Sequence, residues 1–129
     1  MRALEDVVVL DLTHMLSGPY GTMLLADLGA RTIKIEPPVK GEGTRRLLET
    51  SKEFSKEGMG AYFLTLGRNK ESVAIDLKTE KGLNLFYDLV RKADIVMSNF
   101  GAGVTRRLKI DYQSLSAINP RIITCTISG

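Results

Sequence analysis

One cysteine, one histidine and no tryptophan stand among 129 residues, and each shortage closes a class of answer. A lone Cys125 excludes an internal disulfide, so the fold must close on its own core, and it suits a reducing compartment, read as the cytoplasm. With His14 as the single imidazole, no cluster of His, Cys, Asp or Glu has metal-ligand spacing, and no metal is expected. The net charge of +3 falls short of the dense basic face of a nucleic-acid binder, although it favours an anionic ligand. No apolar run approaches the roughly 20 residues of a membrane span. The opening MRALEDVVVLDL places acids inside its apolar stretch and lacks a small-residue cleavage pattern, so no secretory signal is expected. A G-x-G-x-x-G dinucleotide fingerprint is missing too, since only Gly18 and Gly21 follow the first strand.

What is present reads as one soluble α/β domain spanning residues 1–129, with 43% hydrophobic and 26% charged residues. The valine-rich run Val7 to Leu12 fits a strand buried on both faces. A helix begins near Pro19, carries Met23, Leu24, Leu25 and Leu28, and stops at Gly29; Thr32 to Glu36 is a second strand, completing a βαβ unit. Val39 to Gly60 reads as a charged surface excursion, with weak helical periodicity around Thr44 to Phe54. Ser72 to Leu77 resumes strand character. Thr79 then N-caps a helix with Leu83, Phe86, Leu89 and Val90 at helical spacing. A strand at Ile95 to Met97, a helical turn at Val104 to Leu108, a helix at Asp111 to Ile118 and a strand at Ile122 to Ile127 complete the chain. The alternation predicts a Rossmann-like, doubly wound, mostly parallel sheet. Because the last strand reads as a central one with no helix after it, the sheet is expected to be incomplete at its C-terminus, with Cys125 an inert core thiol.

Ligands of open α/β sheets bind at the carboxyl ends of the strands, which directs attention to Thr13–Tyr20, Pro37–Arg46 and Ser98–Arg107. In SNFGAGVTRR, Gly101 and Gly103 let backbone N–H groups approach a bulky anion, and Arg106 and Arg107 can pair with phosphate. The alternative is an ordinary glycine turn with two solvated arginines. Arg68, Asn69 and Lys70 offer similar cationic company or are a solvated basic turn. His14 reads as a general base or, more in keeping with a single turn residue, as a hydrogen-bonded part of the loop.

Three blocks in order, VVVLDLTHMLSGPYGTMLLADLGARTIKIEPP at Val7–Pro38, RNKESVAIDLKTEKG at Arg68–Gly82 and ADIVMSNFGAGVTRRL at Ala93–Leu108, resemble the opening third of the class III CoA-transferases. That family also holds formyl-CoA transferase, the carnitine CoA-transferases and the methylacyl-CoA racemases. The resemblance implies coenzyme A as acyl carrier, with Asn99 and Phe100 against its pantetheine and nucleotide, Arg107 on a phosphate, Asn69 and Lys70 nearby, and the backbone at Leu16 against the thiol end. Ala102 stands where the family usually has proline, Lys109 where glycine is common, and Glu71 where arginine is frequent. Pro37 and Pro38 lie near a position often held by arginine, for which Arg45 or Arg46 can substitute.

The same resemblance implies acyl-CoA and carboxylic acid substrates, a homodimer of interlocked chains when complete, and an aspartate nucleophile located downstream of Gly129. Asp11, Asp76 and Asp94 match structural positions, so no catalytic residue is expected in this chain. The expected function is therefore the CoA-binding portion of a CoA-transferase. An acyl-CoA racemase is the alternative within enzymes, made less attractive by Asn69 and the Ser98-Asn99 pair; a free-standing CoA-binding module is the alternative outside them.

Overall fold

The computed structural model describes residues 1–128. The valine-rich run forms β1, Val8–Asp11, whose side chains alternate between two cores: Leu10 faces one, and Val9 the other with Ala30 and Met97. The chain turns sharply into α1, Ser17–Asp27. Gly18 lies so close to Thr13 that a Cβ would stand 2.3 Å from the threonine Cβ, which only glycine avoids. α1 ends as its sequence requires. The Gly29 amide donates to Ala26 O and the Ala30 amide to Leu25 O, with Gly29 at φ 109, the Schellman arrangement that favours glycine.

β2, Arg31–Glu36, runs parallel to β1. The excursion that follows does not form the helix expected around Thr44 to Phe54. The Glu42 side chain accepts from the Thr44 amide and caps a single 3-10 turn, Gly43–Arg45, while Leu48 at φ 67 breaks any continuation. A two-residue hairpin, β3 at Ser55–Lys56 and β4 at Met59–Gly60, leads into α2, Ala61–Leu66. β5, Lys70–Ala74, starts two residues earlier than its apolar pattern suggested, because Lys70 is drawn inward by partners described below. α3, Glu80–Val90, begins at Thr79, whose hydroxyl accepts from the Gly82 amide at 3.0 Å. Then come β6, Ile95–Ser98, α4, Val104–Arg107, α5, Tyr112–Ser116, and β7, Ile123–Thr126.

The sheet order is β5-β2-β1-β6-β7 with every pairing parallel. Strands are added first to one side of β1 and then to the other, so the carboxyl ends of β1 and β6 flank the point where the winding reverses, the usual ligand crevice of such folds. Phe86 and Val90 of α3 and Leu115 of α5 cover one face against Leu10, Ile33 and Val96. α1 covers the other through Leu25 and Met23.

Two details depart from expectation. β7 is an edge strand among the described residues, leaving Ile123 exposed at 59%, and Cys125 is exposed as well, so it is not a core thiol. The helical turn α4 ends in the same hydrogen-bond pattern as α1: the Lys109 amide donates to Arg106 O and the Ile110 amide to Thr105 O. Here the left-handed residue is Lys109, at φ 56, where a side chain costs on the order of 1 kcal/mol relative to glycine. Among the described residues no helix is long and apolar enough to cross a membrane.

Candidate functional site

At the carboxyl edge, charges fall into an inner set that is matched and an outer set that is not. The inner set begins with Asp11, fully buried at the end of β1. Its carboxylate accepts from the Thr13 hydroxyl at 2.5 Å, the Thr22 hydroxyl at 2.7 Å and Lys70 Nζ at 3.0 Å, with Lys34 Nζ 3.6 Å away. Lys70 also donates to Pro19 O and Thr22 Oγ1, and Lys34 to Thr13 O. Burial pushes the Asp11 carboxyl up, but the charges of Lys34 and Lys70 and the two threonine hydroxyls outweigh it, so its pKa lies below the ordinary carboxylate range. Burial pulls Lys70 down, with Asp11 resisting.

Two more buried carboxylates tie the Pro37–Arg46 excursion to the sheet. Glu36 accepts both Nε and Nη2 of Arg45 at 2.7 Å, the Ser72 hydroxyl at 2.6 Å and the Glu42 amide at 2.7 Å; the guanidinium also lies over the Phe63 ring, 3.9 Å from its centre. Glu42 accepts from the Met15 amide at 3.1 Å and from the Thr44 amide and hydroxyl, and stands 3.8 Å from His14 Nδ1. For both, burial raises the carboxyl pKa but is overcome. The donors Arg45 and Ser72 and the Glu42 amide hold Glu36 at about 2; His14, Thr44, the Met15 amide and the Lys34 charge hold Glu42 at about 2. Among the described residues every buried side-chain polar atom has a hydrogen-bond partner.

This interior fixes the β1–α1 loop. Met15, in a left-handed conformation at φ 67, is held through its amide by Glu42. His14 is gripped from β6: Asn99 Oδ1 accepts the His14 amide and Asn99 Nδ2 donates to the His14 carbonyl, both at 2.8 Å. The His14 ring tilts against Phe100, with centroids 5.3 Å apart.

Beside this loop lies an apolar pocket of about 170 Å³ walled by Pro37, Ile75, Leu77, Phe100 and Leu108, with His14 at its rim. Leu77, Lys78 and Leu108 also line a larger neighbouring cleft of about 660 Å³, bearing Lys78, Arg107 and Lys109 against one carboxylate, Glu80. None of these three cations forms an ion pair among the described residues. An apolar pocket beside a cationic cleft suits a long ligand with an apolar part and phosphate groups.

The expected site residues divide. Leu16, Asn99, Phe100 and Arg107 all lie at the carboxyl edge; Phe100 lines the pocket, Arg107 the cleft, and Leu16 is exposed at the start of α1. The amide of Asn99 is engaged with the His14 backbone. Asn69 lies at the opposite edge, before β5, where its side chain and that of Arg68 bind Asp27. The Lys70 side chain is 2% exposed and committed to Asp11. Arg45 is held by Glu36, while Arg46 is exposed. Asp76 and Asp94 accept from the Lys78 and Val8 amides.

Leu77 and Lys78 were not singled out from sequence, although the rule that led to three carboxyl-end loops applies equally to the turn after β5. Glu42 had no sequence signal: in KGEGT it reads as a solvated acid. Among the described residues no group of three or more His, Cys, Asp and Glu side chains could hold a metal.

Comparison with known proteins gives consistent matches. A family model described as CoA-transferase family III matches residues 4–129. The acetyl-CoA:oxalate CoA-transferase of Acetobacter aceti is 46% identical over 125 residues, covering 97% of this chain and 31% of that protein. The succinyl-CoA:mesaconate CoA-transferase of Haloarcula hispanica is 41% identical, covering 100% of this chain and 32% of that protein. Among solved structures, a CAIB/BAIF family protein from Brucella suis superposes with a TM-score of 0.90 at 40% identity, covering 99% of this chain and 34% of that one. The chain thus spans about a third of the length of the relatives it matches.

Proposed function

Because the chain belongs to CoA-transferase family III, we propose that it forms the CoA-binding portion of an enzyme that passes CoA from an acyl-CoA to a carboxylic acid. The observation that carries this reading is the apolar pocket beside a cleft with three cations that form no ion pair among the described residues, matched to a ligand that combines an adenosine and pantetheine with a diphosphate and a phosphomonoester. Lys78 and Arg107 bind phosphate oxygens through charge-assisted hydrogen bonds. Phe100, Pro37 and Leu77 enclose the apolar parts and exclude water from them. The β1–α1 loop at Leu16 borders the thiol end. Asn99 acts as a positioning residue that holds this loop by the backbone of His14. The acceptor class in this reading is a small dicarboxylic acid, as in the names of the two enzyme relatives.

The attacking aspartate comes from outside this chain. Asp11 is buried and tied to two lysines, and Asp94 holds the Val8 amide just before β6, so neither can reach a thioester in the pocket; Asp76 lines the pocket, and in this reading it shapes the turn after β5 by accepting the Lys78 amide. The chain alone should bind CoA and turn nothing over, contributing position and not chemistry. Calorimetric titration of CoA at low salt tests this: Arg107→Ala should weaken binding about tenfold or more, the worth of a charge-assisted bond to phosphate. Equal affinity in the two proteins would remove Arg107 from the site, and absence of CoA binding to the unmodified chain would sink the reading.

A further inference from the structure

α1 and α4 end in the same Schellman hydrogen-bond pattern, one with Gly29 and the other with Lys109 in the left-handed position. Gly29 is the residue that this geometry favours; Lys109 is held there against its own preference. Its backbone is fixed from both sides, the amide donating to Arg106 O at 3.1 Å and the carbonyl accepting the Tyr87 hydroxyl at 2.8 Å. The side chain lines the same cleft as Arg107 and Lys78 and has no ion-pair partner among the described residues. A strained residue that persists at the rim of a ligand cleft points from its geometry to a use there.

The charges in the cleft narrow that use. Lys78 and Arg107 face one carboxylate, Glu80, so without Lys109 the wall carries a single net positive charge, enough for only part of a diphosphate. A phosphomonoester adds roughly −1.5 to −2 at neutral pH, and a second net positive charge matches it.

We propose that Lys109 is a specificity residue of the CoA site, selecting ligands that carry a phosphomonoester beside the diphosphate, and so CoA over dephospho-CoA. This rests on the CoA-binding reading above. A flexible four-carbon stem suits the role, because an ammonium can follow a phosphate on a ribose without the planar geometry that an arginine demands.

The test is calorimetric titration of the whole chain with CoA and with dephospho-CoA at low salt, for the unmodified protein, Lys109→Gly and Lys109→Gln. The unmodified protein should prefer CoA. Lys109→Gly should lose about fivefold in CoA affinity with little change for dephospho-CoA, while its melting temperature rises because the left-handed position is relieved. Lys109→Gln, which keeps the backbone strain and the stem, should show the same loss for CoA without the rise in melting temperature. Equal losses for the two ligands, or no loss for either, would overturn the role of Lys109 while leaving CoA binding standing. Binding of neither ligand by the unmodified chain would overturn the CoA reading itself, and Lys109 with it.

Discussion

The same edge of the same sheet carries two populations of charge, and they are handled in opposite ways. Asp11, Lys34 and Lys70 are buried to within a few per cent of zero exposure, and each is surrounded by partners of opposite sign or by carbonyls and hydroxyls. Lys78, Arg107 and Lys109 stand a short way off in an open cleft with no internal ion pair among the described residues. The first group cannot meet a ligand; its role is to hold Thr13 in place at the start of the β1–α1 loop. The second contributes little to folding and is free to meet an anion. Residue type alone does not separate them: Lys70 and Lys78 are eight positions apart, one opening a short strand and the other following it, and do different things.

The largest effect should come from breaking the inner group. Asp11→Ala leaves Lys34 and Lys70 buried together without their shared carboxylate, and removing one partner of a buried pair costs about 3–5 kcal/mol. Urea unfolding measures it; a loss below about 1 kcal/mol would mean that water enters and solvates the two ammonium groups.

Acid should act most strongly on the buried carboxylates of this edge. Glu36 and Glu42, held at about 2 in the folded chain against an ordinary value of 4.5, bind protons more readily once unfolded. Their contribution is complete above the unfolded value and is lost as pH falls from about 4.5 towards 2. The melting temperature should fall across that window, and Glu42→Gln should flatten the fall. An unchanged slope in that variant would show that Glu42 is not held as described.

The smallest effect belongs to a pair that resembles the inner group in chemistry but lies on the surface. Arg31 and Glu71 form a bidentate bridge across β2 and β5, both more than half exposed. Glu71→Ala should change stability by well under 1 kcal/mol. A shift in the melting curve as large as that of Asp11→Ala would erase the distinction between matched burial and matched exposure.

Much of this was legible in the sequence, because local signals agreed with the fold. The valines of β1, Gly29 after α1, and Thr79 before α3 each specify their element by their own chemistry. The Pro37–Arg46 excursion was not legible, since its conformation depends on Glu42 and Arg45 reaching partners on β2 and on the β1–α1 loop. The carboxyl-edge rule and the family resemblance together point to Phe100 and Arg107, which line the pocket and the cleft. Lys70 reads from sequence as a coenzyme contact or part of a solvated basic turn, because nothing in RNKES shows that Asp11, 59 positions earlier, waits for its ammonium. The exposure of Cys125 follows from strand order, and an edge strand and a central one can share the same composition.

The grip of Asn99 on His14 has a consequence for how freely each position can change. Both bonds are made to main-chain atoms of residue 14, and both require the amide group of residue 99. The grip therefore specifies the identity of one partner and only the path of the other. Almost any side chain at 14 leaves the two hydrogen bonds intact, whereas aspartate at 99 loses the donor and leucine loses both. The grip thus leaves the ring that borders the pocket to be set by Glu42 and Phe100, so the course of the loop and the shape of the pocket rim answer to different residues.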